Sequence, residues 1–271
     1  MRSAFSITLI CLSLSAAARA QGPATLDAGY RDMYNLQFDA AHQFFQTWEK
    51  THPDDPVGPV SDAAAYMFAE FDRLHILESE LFIHDSKFQS RPTLRADPDS
   101  KRAFEAKLAR TEQLADEKLG RDPNDPTALF AKVMALGLRG DYAALVEKRD
   151  LAGLSYMKTG RALAEKLLAL HSDYYDAYLA VGVENYLLSL KPAPMRWLLR
   201  MTGAQTDRDE GLRQLRITAE KGRYLLPYAS LLLAVAALRS NDRPQAKILL
   251  AGLAREFPAN HLYARELAKL Q

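Results

Sequence analysis

Cysteine is almost missing: Cys11 is the only one in 271 residues, and it lies within the first twenty. One thiol cannot make a disulfide framework or a thiolate metal cluster. Ile10 stands where a lipoprotein leader carries a small residue, so acylation of Cys11 is not expected. An excess of one charge is missing too, since 35 Lys and Arg face 34 Asp and Glu. That balance gives no strong field for bulk nucleic acid, and no nucleic-acid partner is expected. A membrane-crossing helix needs about 20 apolar residues. The one candidate, from Ala4 to Leu14, is shorter and is soon followed by Arg19. Reaction signatures are also absent: there is no G-x-S-x-G elbow, phosphate-binding glycine loop, dinucleotide fingerprint or H-E-x-x-H. The chain is therefore expected not to be an enzyme and to carry no cofactor.

What is present begins with a leader. Arg2 supplies a positive start, residues 4–14 an apolar core, and Ala18-Arg19-Ala20 the small residues that a signal peptidase reads before Gln21. This layout predicts a cleaved signal peptide over 1–20 and a protein that is periplasmic or secreted. The remaining 251 residues, 21–271, read as one domain with 33 basic and 34 acidic side chains, a net charge of −1. Cleavage would leave no cysteine, which is compatible with an oxidising compartment.

Apolar spacing along the rest is helical. Ala246, Leu249, Leu250, Leu253 and Phe257 fall on one face of a helix, and so do Gly211, Leu212, Leu215, Ala219 and Gly222. Met157, Gly160, Ala164, Leu167 and Leu168 form a third such stripe. No segment alternates with period two around a hairpin turn, so the expected class is all-α. First helices are expected near 61–82, 126–138, 173–190 and 227–238. A capping helix is expected near 260–270, and residues 139–153 leave room for a further short helix.

A layout recurs among these helices. Ala41, Phe45, Trp48 and Pro53 are separated by 4, 3 and 5 residues, and Ala246, Leu250, Leu253 and Pro258 repeat those separations. Here the chain resembles the tetratricopeptide repeat, with its small residue, large apolar residue and closing proline on the second helix. Val181-Gly182 followed by Tyr186 is similar to the first-helix pattern of that family. The resemblance implies a right-handed solenoid of antiparallel helix pairs, about five pairs with a C-terminal capping helix. It also implies a protein or peptide partner held on the concave face. In that register Tyr66, Glu70, Arg73, Asn185 and Tyr186 would line that face.

The closing positions Pro53, Pro123, Ser172, Gly222 and Pro258 are 70, 49, 50 and 36 residues apart, against a family period of about 34. The surplus falls between first and second helices, at 83–100, 139–153 and 191–206. Units stacked in one orientation would bring all three insertions to one edge, and insertions on one face often mark a binding face. The third holds Arg196, Trp197 and Arg200 with no acid between Lys191 and Met201, a composition suited to an interface anchor. Residues 194–201 could instead touch a membrane surface as a short basic helix, which would make the chain a peripheral envelope-assembly factor. A third reading, ranked last, is a metal-dependent hydrolase. It uses Asp72, His75 and Glu78 on one helical face, with Glu80 and His84 nearby. No metal site is expected from these spacings, which match no established signature. Nor do Asp207 and Asp209 continue into a calcium loop.

Overall fold

The computed structural model describes residues 25–77, 90–190 and 206–271. Among them the regular structure is entirely helical, as the spacing predicts. In chain order the helices are α1 (Leu26–Tyr34), α2 (Phe38–Thr51), α3 (Val57–Arg73), α4 (Pro98–Arg121), α5 (Pro126–Asp141) and α6 (Asp150–Leu170). Then come α7 (Tyr178–Ser189), α8 (Arg208–Lys221), α9 (Leu226–Arg239), α10 (Arg243–Glu256) and α11 (His261–Ala268). A π-helical turn, Tyr142–Val146, extends α5, and a 3-10 turn, Tyr175–Ala177, leads into α7. Each helix packs against the next, and α3 also meets α1 and α5.

The helices start where short polar side chains can hold the first free N–H groups. Asp97, Asp125, Asp207, Asp242 and Asn260 each accept from a backbone N–H two or three residues on. Proline follows in the first turn of α4, α5 and α10, where a missing N–H costs nothing.

The helix ends repeat, and the repetition has two kinds. At the ends of α2, α4, α6 and α10, the residue after the helix bonds back four residues, and its own carbonyl then accepts from the N–H three residues on. His52, Asp122, His171 and Phe257 occupy that position, with Asp55, Asp125, Tyr174 and Asn260 as donors. The ends of α1, α3 and α9 close differently, with a left-handed residue and a six-residue return bond, the Schellman arrangement. Leu36, His75 and Asn241 are those residues, at φ 61°, 57° and 60°. The return bonds run from Gln37, Ile76 and Asp242 to Asp32, Phe71 and Ala237. Lys148, at φ 57°, plays the same part after the π-helical turn. This end of α3 corrects the expected helix over 61–82, which stops at Arg73.

The apolar stripes pack as their spacing requires. Ala41 and Phe45 are buried on α2, Gly160, Ala164 and Leu167 on α6, and Ala246, Leu250 and Leu253 on α10. Trp48 is only half-buried and donates its Nε1–H to Asp55 at 2.8 Å. The enlarged spacing has two sources. One is the long connections, and the other is helix length: α4 has 24 residues and α6 has 21, against 14 for α2, α8 and α10.

The first helix lies against the connections that lead into α9 and α11. Tyr30 of α1 stacks on Tyr224 with ring centres 4.8 Å apart, and the Tyr34 hydroxyl donates to the Tyr224 carbonyl at 3.0 Å. Asn260 donates to the Tyr34 carbonyl at 2.8 Å, and Arg223 grips Asp27 through two bonds of 2.8 and 2.7 Å. Phe68 of α3 meets Tyr228 of α9 edge-on at 5.6 Å, and the Tyr228 hydroxyl donates to Asp141 at 3.0 Å. The helical run thus closes on itself, and aromatic side chains fill the space between its ends.

Candidate functional site

The residues expected on a concave face take three different positions. Glu70 is buried at the end of α3 and accepts two bonds from Arg73, at 2.8 and 2.7 Å, and one from the Asp97 N–H at 2.9 Å. Arg73 donates onward to the Arg95 carbonyl at 2.8 Å. The pair therefore ties the chain entering α4 to the end of α3. Asn185 is fully buried and donates to Gln214 at 2.9 Å, which in turn donates to Glu210 at 2.8 Å. Tyr186 lies beside it in a small core with Leu215, Leu233 and Ala236. These two therefore face the α7, α8 and α9 packing. Tyr66 stands half-exposed, its ring centre 4.1 Å from that of His42. Arg196, Trp197 and Arg200 lie outside the described residues.

Tyr66 leads to a polar cluster that spacing along the chain did not reveal. His42 and Glu49 stand on α2, Asp62 and Tyr66 on α3, and Lys107 on α4. The Asp62 carboxylate is fully buried; one oxygen binds His42 Nδ1 and the other lies 2.8 Å from Lys107 Nζ. Lys107 also donates to both Glu49 oxygens, at 2.7 and 2.9 Å. Burial lifts the Glu49 pKa above the usual carboxylate range, with Lys107 opposing. Burial works against the Lys107 charge, yet Asp62 and Glu49 outweigh it and hold the ammonium above the ordinary lysine value. The Tyr66 phenol is raised chiefly by burial, with Asp62 adding to it.

This cluster has the Asp–His pair of a general base, but among the described residues no serine, threonine or cysteine hydroxyl or thiol bonds to the imidazole. Its bonds run among its own members and compensate a buried carboxylate. Among the described residues no group of three or more His, Asp or Glu could hold a metal. The Asp72–His75–Glu78 face also loses its helical basis. His75 lies past the end of α3 in a left-handed conformation, and Glu78, Glu80 and His84 fall outside the described residues. Asp207 is committed to capping α8.

A second feature lies at one edge. Parts of the first two enlarged segments meet there. Buried Arg91 donates to the Ala144 carbonyl at 2.8 Å and pairs with Asp150, while Lys148 donates to the Arg91 carbonyl at 2.7 Å. Lys101 of α4 pairs with Glu147 on the same turn. Leu151, the next residue after Asp150, is 84% exposed, the most exposed large apolar side chain described.

No family model matches the chain, and no curated protein or solved structure gives a significant match. No described helix is long and apolar enough to cross a membrane.

Proposed function

We propose that the chain is an exported, tetratricopeptide-like solenoid of five helix pairs and a capping helix that binds a protein or peptide partner. The pairs are α1–α2, α3–α4, α5–α6, α7–α8 and α9–α10, with α11 as the cap. Support for the repeat comes from its two kinds of helix end, which alternate through α1–α2, α3–α4 and α9–α10 without any strict sequence identity.

The observation that carries the binding surface is the meeting of the 90–97 and 142–150 segments around Arg91. Long connections cost ordering entropy. Two that are enlarged and bonded to each other form a built edge rather than independent loops. Exposed Leu151 supplies an apolar contact at its margin, and Lys148 and Arg149 supply charge. The interior is closed by α1, so the edge is the surface open to a partner first.

A photo-crosslinking residue placed at Leu151 in the full chain tests this in the exported compartment. Ile248 of α10, which is 66% exposed, serves as the control position. One discrete adduct at Leu151 and none at Ile248 is the expected result. Equal labelling at both, or none at either, removes the edge as a binding surface.

A further inference from the structure

We infer that α1 is a built-in ligand of the groove it fills, and that a partner helix of the same chemistry takes its place. This rests on the reading of the chain as a binding solenoid. It adds what the interior recognises.

The buried face of α1 makes contacts both near and far along the chain. Leu26, Tyr30, Met33 and Tyr34 make one apolar face, each 3% exposed or less. That face meets α2 and α3, and through them the interior: Tyr30 bonds Ser61 at 2.9 Å and lies edge-on to Phe45 at 5.3 Å. The Tyr30 hydroxyl also reaches the Met134 sulfur of α5 at 3.9 Å. From the same face and the two ends of α1, polar ties reach residues about 190 to 226 positions away. Arg223 takes Asp27, the Tyr224 carbonyl takes the Tyr34 hydroxyl, and Asn260 takes the Tyr34 carbonyl. Only Asn35, Leu36 and Gln37 connect α1 to α2, and Leu36 is held at φ 61°. That conformation is costly for a residue with a branched side chain.

A groove that holds a nine-residue helix in this way states its own specificity. It takes an amphipathic helix with an acid, a tyrosine three residues later and a second tyrosine four after that, as at Asp27, Tyr30 and Tyr34. The acid answers the guanidinium of Arg223, whose side chain is 65% exposed. The aromatic rings fill the space beside Tyr224, Phe68 and Phe257. A three-residue tether keeps α1 at an effective concentration of roughly millimolar or above. A partner helix must therefore bring contacts beyond the groove, which the edge around Arg91 can supply.

The test uses the full chain with a protease site inserted between Leu36 and Gln37, cut after folding. The probe is a fluorescent peptide of residues 25–35. Expected is a cut protein that stays helical and exchanges its own α1 for the peptide. A Tyr34→Ala peptide should bind on the order of a hundredfold more weakly, as loss of a buried aromatic ring requires. An Asp27→Lys peptide should lose about threefold, the scale of an exposed ion pair, and recover that loss on a protein carrying Arg223→Glu. Retention of the original α1 against excess peptide overturns the inference, as does unfolding on cutting. So does equal binding by the variant peptides. Each of these outcomes is independent of crosslinking at Leu151, so the groove and the edge stand or fall separately.

Discussion

At the scale of residues, one buried and one half-buried carboxylate are accommodated differently. Asp62 is flanked by His42 on one side and Lys107 on the other. Removing a partner from such an arrangement strands a buried charge, at a cost of about 3–5 kcal/mol. Asp62→Ala strands Lys107 beside Glu49 alone and should lower stability by about 3 kcal/mol, measured as a shift in the urea midpoint. A loss below about 1 kcal/mol would mean that the ion pairs are held in water rather than in the protein. Among the described residues Asp141 has no cation paired with it. It sits at the end of α5, half-buried, with the Tyr228 hydroxyl as partner, and burial pushes its carboxyl up to about 6. The folded state therefore holds this proton more tightly than the unfolded chain does. Its contribution to stability is full below pH 4 and is lost as pH rises through about 6. Asp141→Asn keeps an acceptor for Tyr228 and removes the titration. The variant should be more stable than the parent at pH 8, by about 2 kcal/mol, and the gap should close towards pH 4.5. A gap that is constant across that range would exclude Asp141 as its source.

At the scale of elements, small residues set how closely helices pair. A Cβ on Gly211 of α8 would meet the Tyr186 backbone nitrogen at 2.6 Å, so α7 and α8 can approach only over glycine. Gly29 plays the same part between α1 and the Phe45 ring. Because the obstacle at Gly211 is backbone, no rotamer change relieves it. Gly211→Ala should cost about 2 kcal/mol or more, read from thermal and urea melts. A neutral result would mean that α8 is free to shift along α7. The left-handed helix ends act at this scale as well. Leu36, His75 and Asn241 terminate three first helices by one geometry, and only Asn241 is a residue type that tolerates it readily. Propensity could place an ending at Asn241. It could not place one at His75, and so the expected helix ran past Arg73.

At the scale of the whole molecule, closure through α1 makes the first turn of the structure depend on the last. Tyr34 bonds Tyr224 and Asn260 and packs on Phe68 and Phe257, so it belongs to both ends. Tyr34→Ala should raise amide exchange not only near α1 but over residues 223–228 and 257–260. Faster exchange confined to residues 25–45 would show that the ends are neighbours without coupling. The sequence by itself determined the all-α class and the buried stripes of α2, α6, α8 and α10, because those depend on spacing within a few residues. It also separated second helices from the connections between units, since proline and short polar side chains act locally. Only the tertiary structure decided that Glu70, Asn185 and Tyr186 turn into packing, that His42, Asp62 and Lys107 meet, and that α1 fills the interior. Those contacts join helices far apart along the chain, and no local period carries information about which distant side chain will meet which.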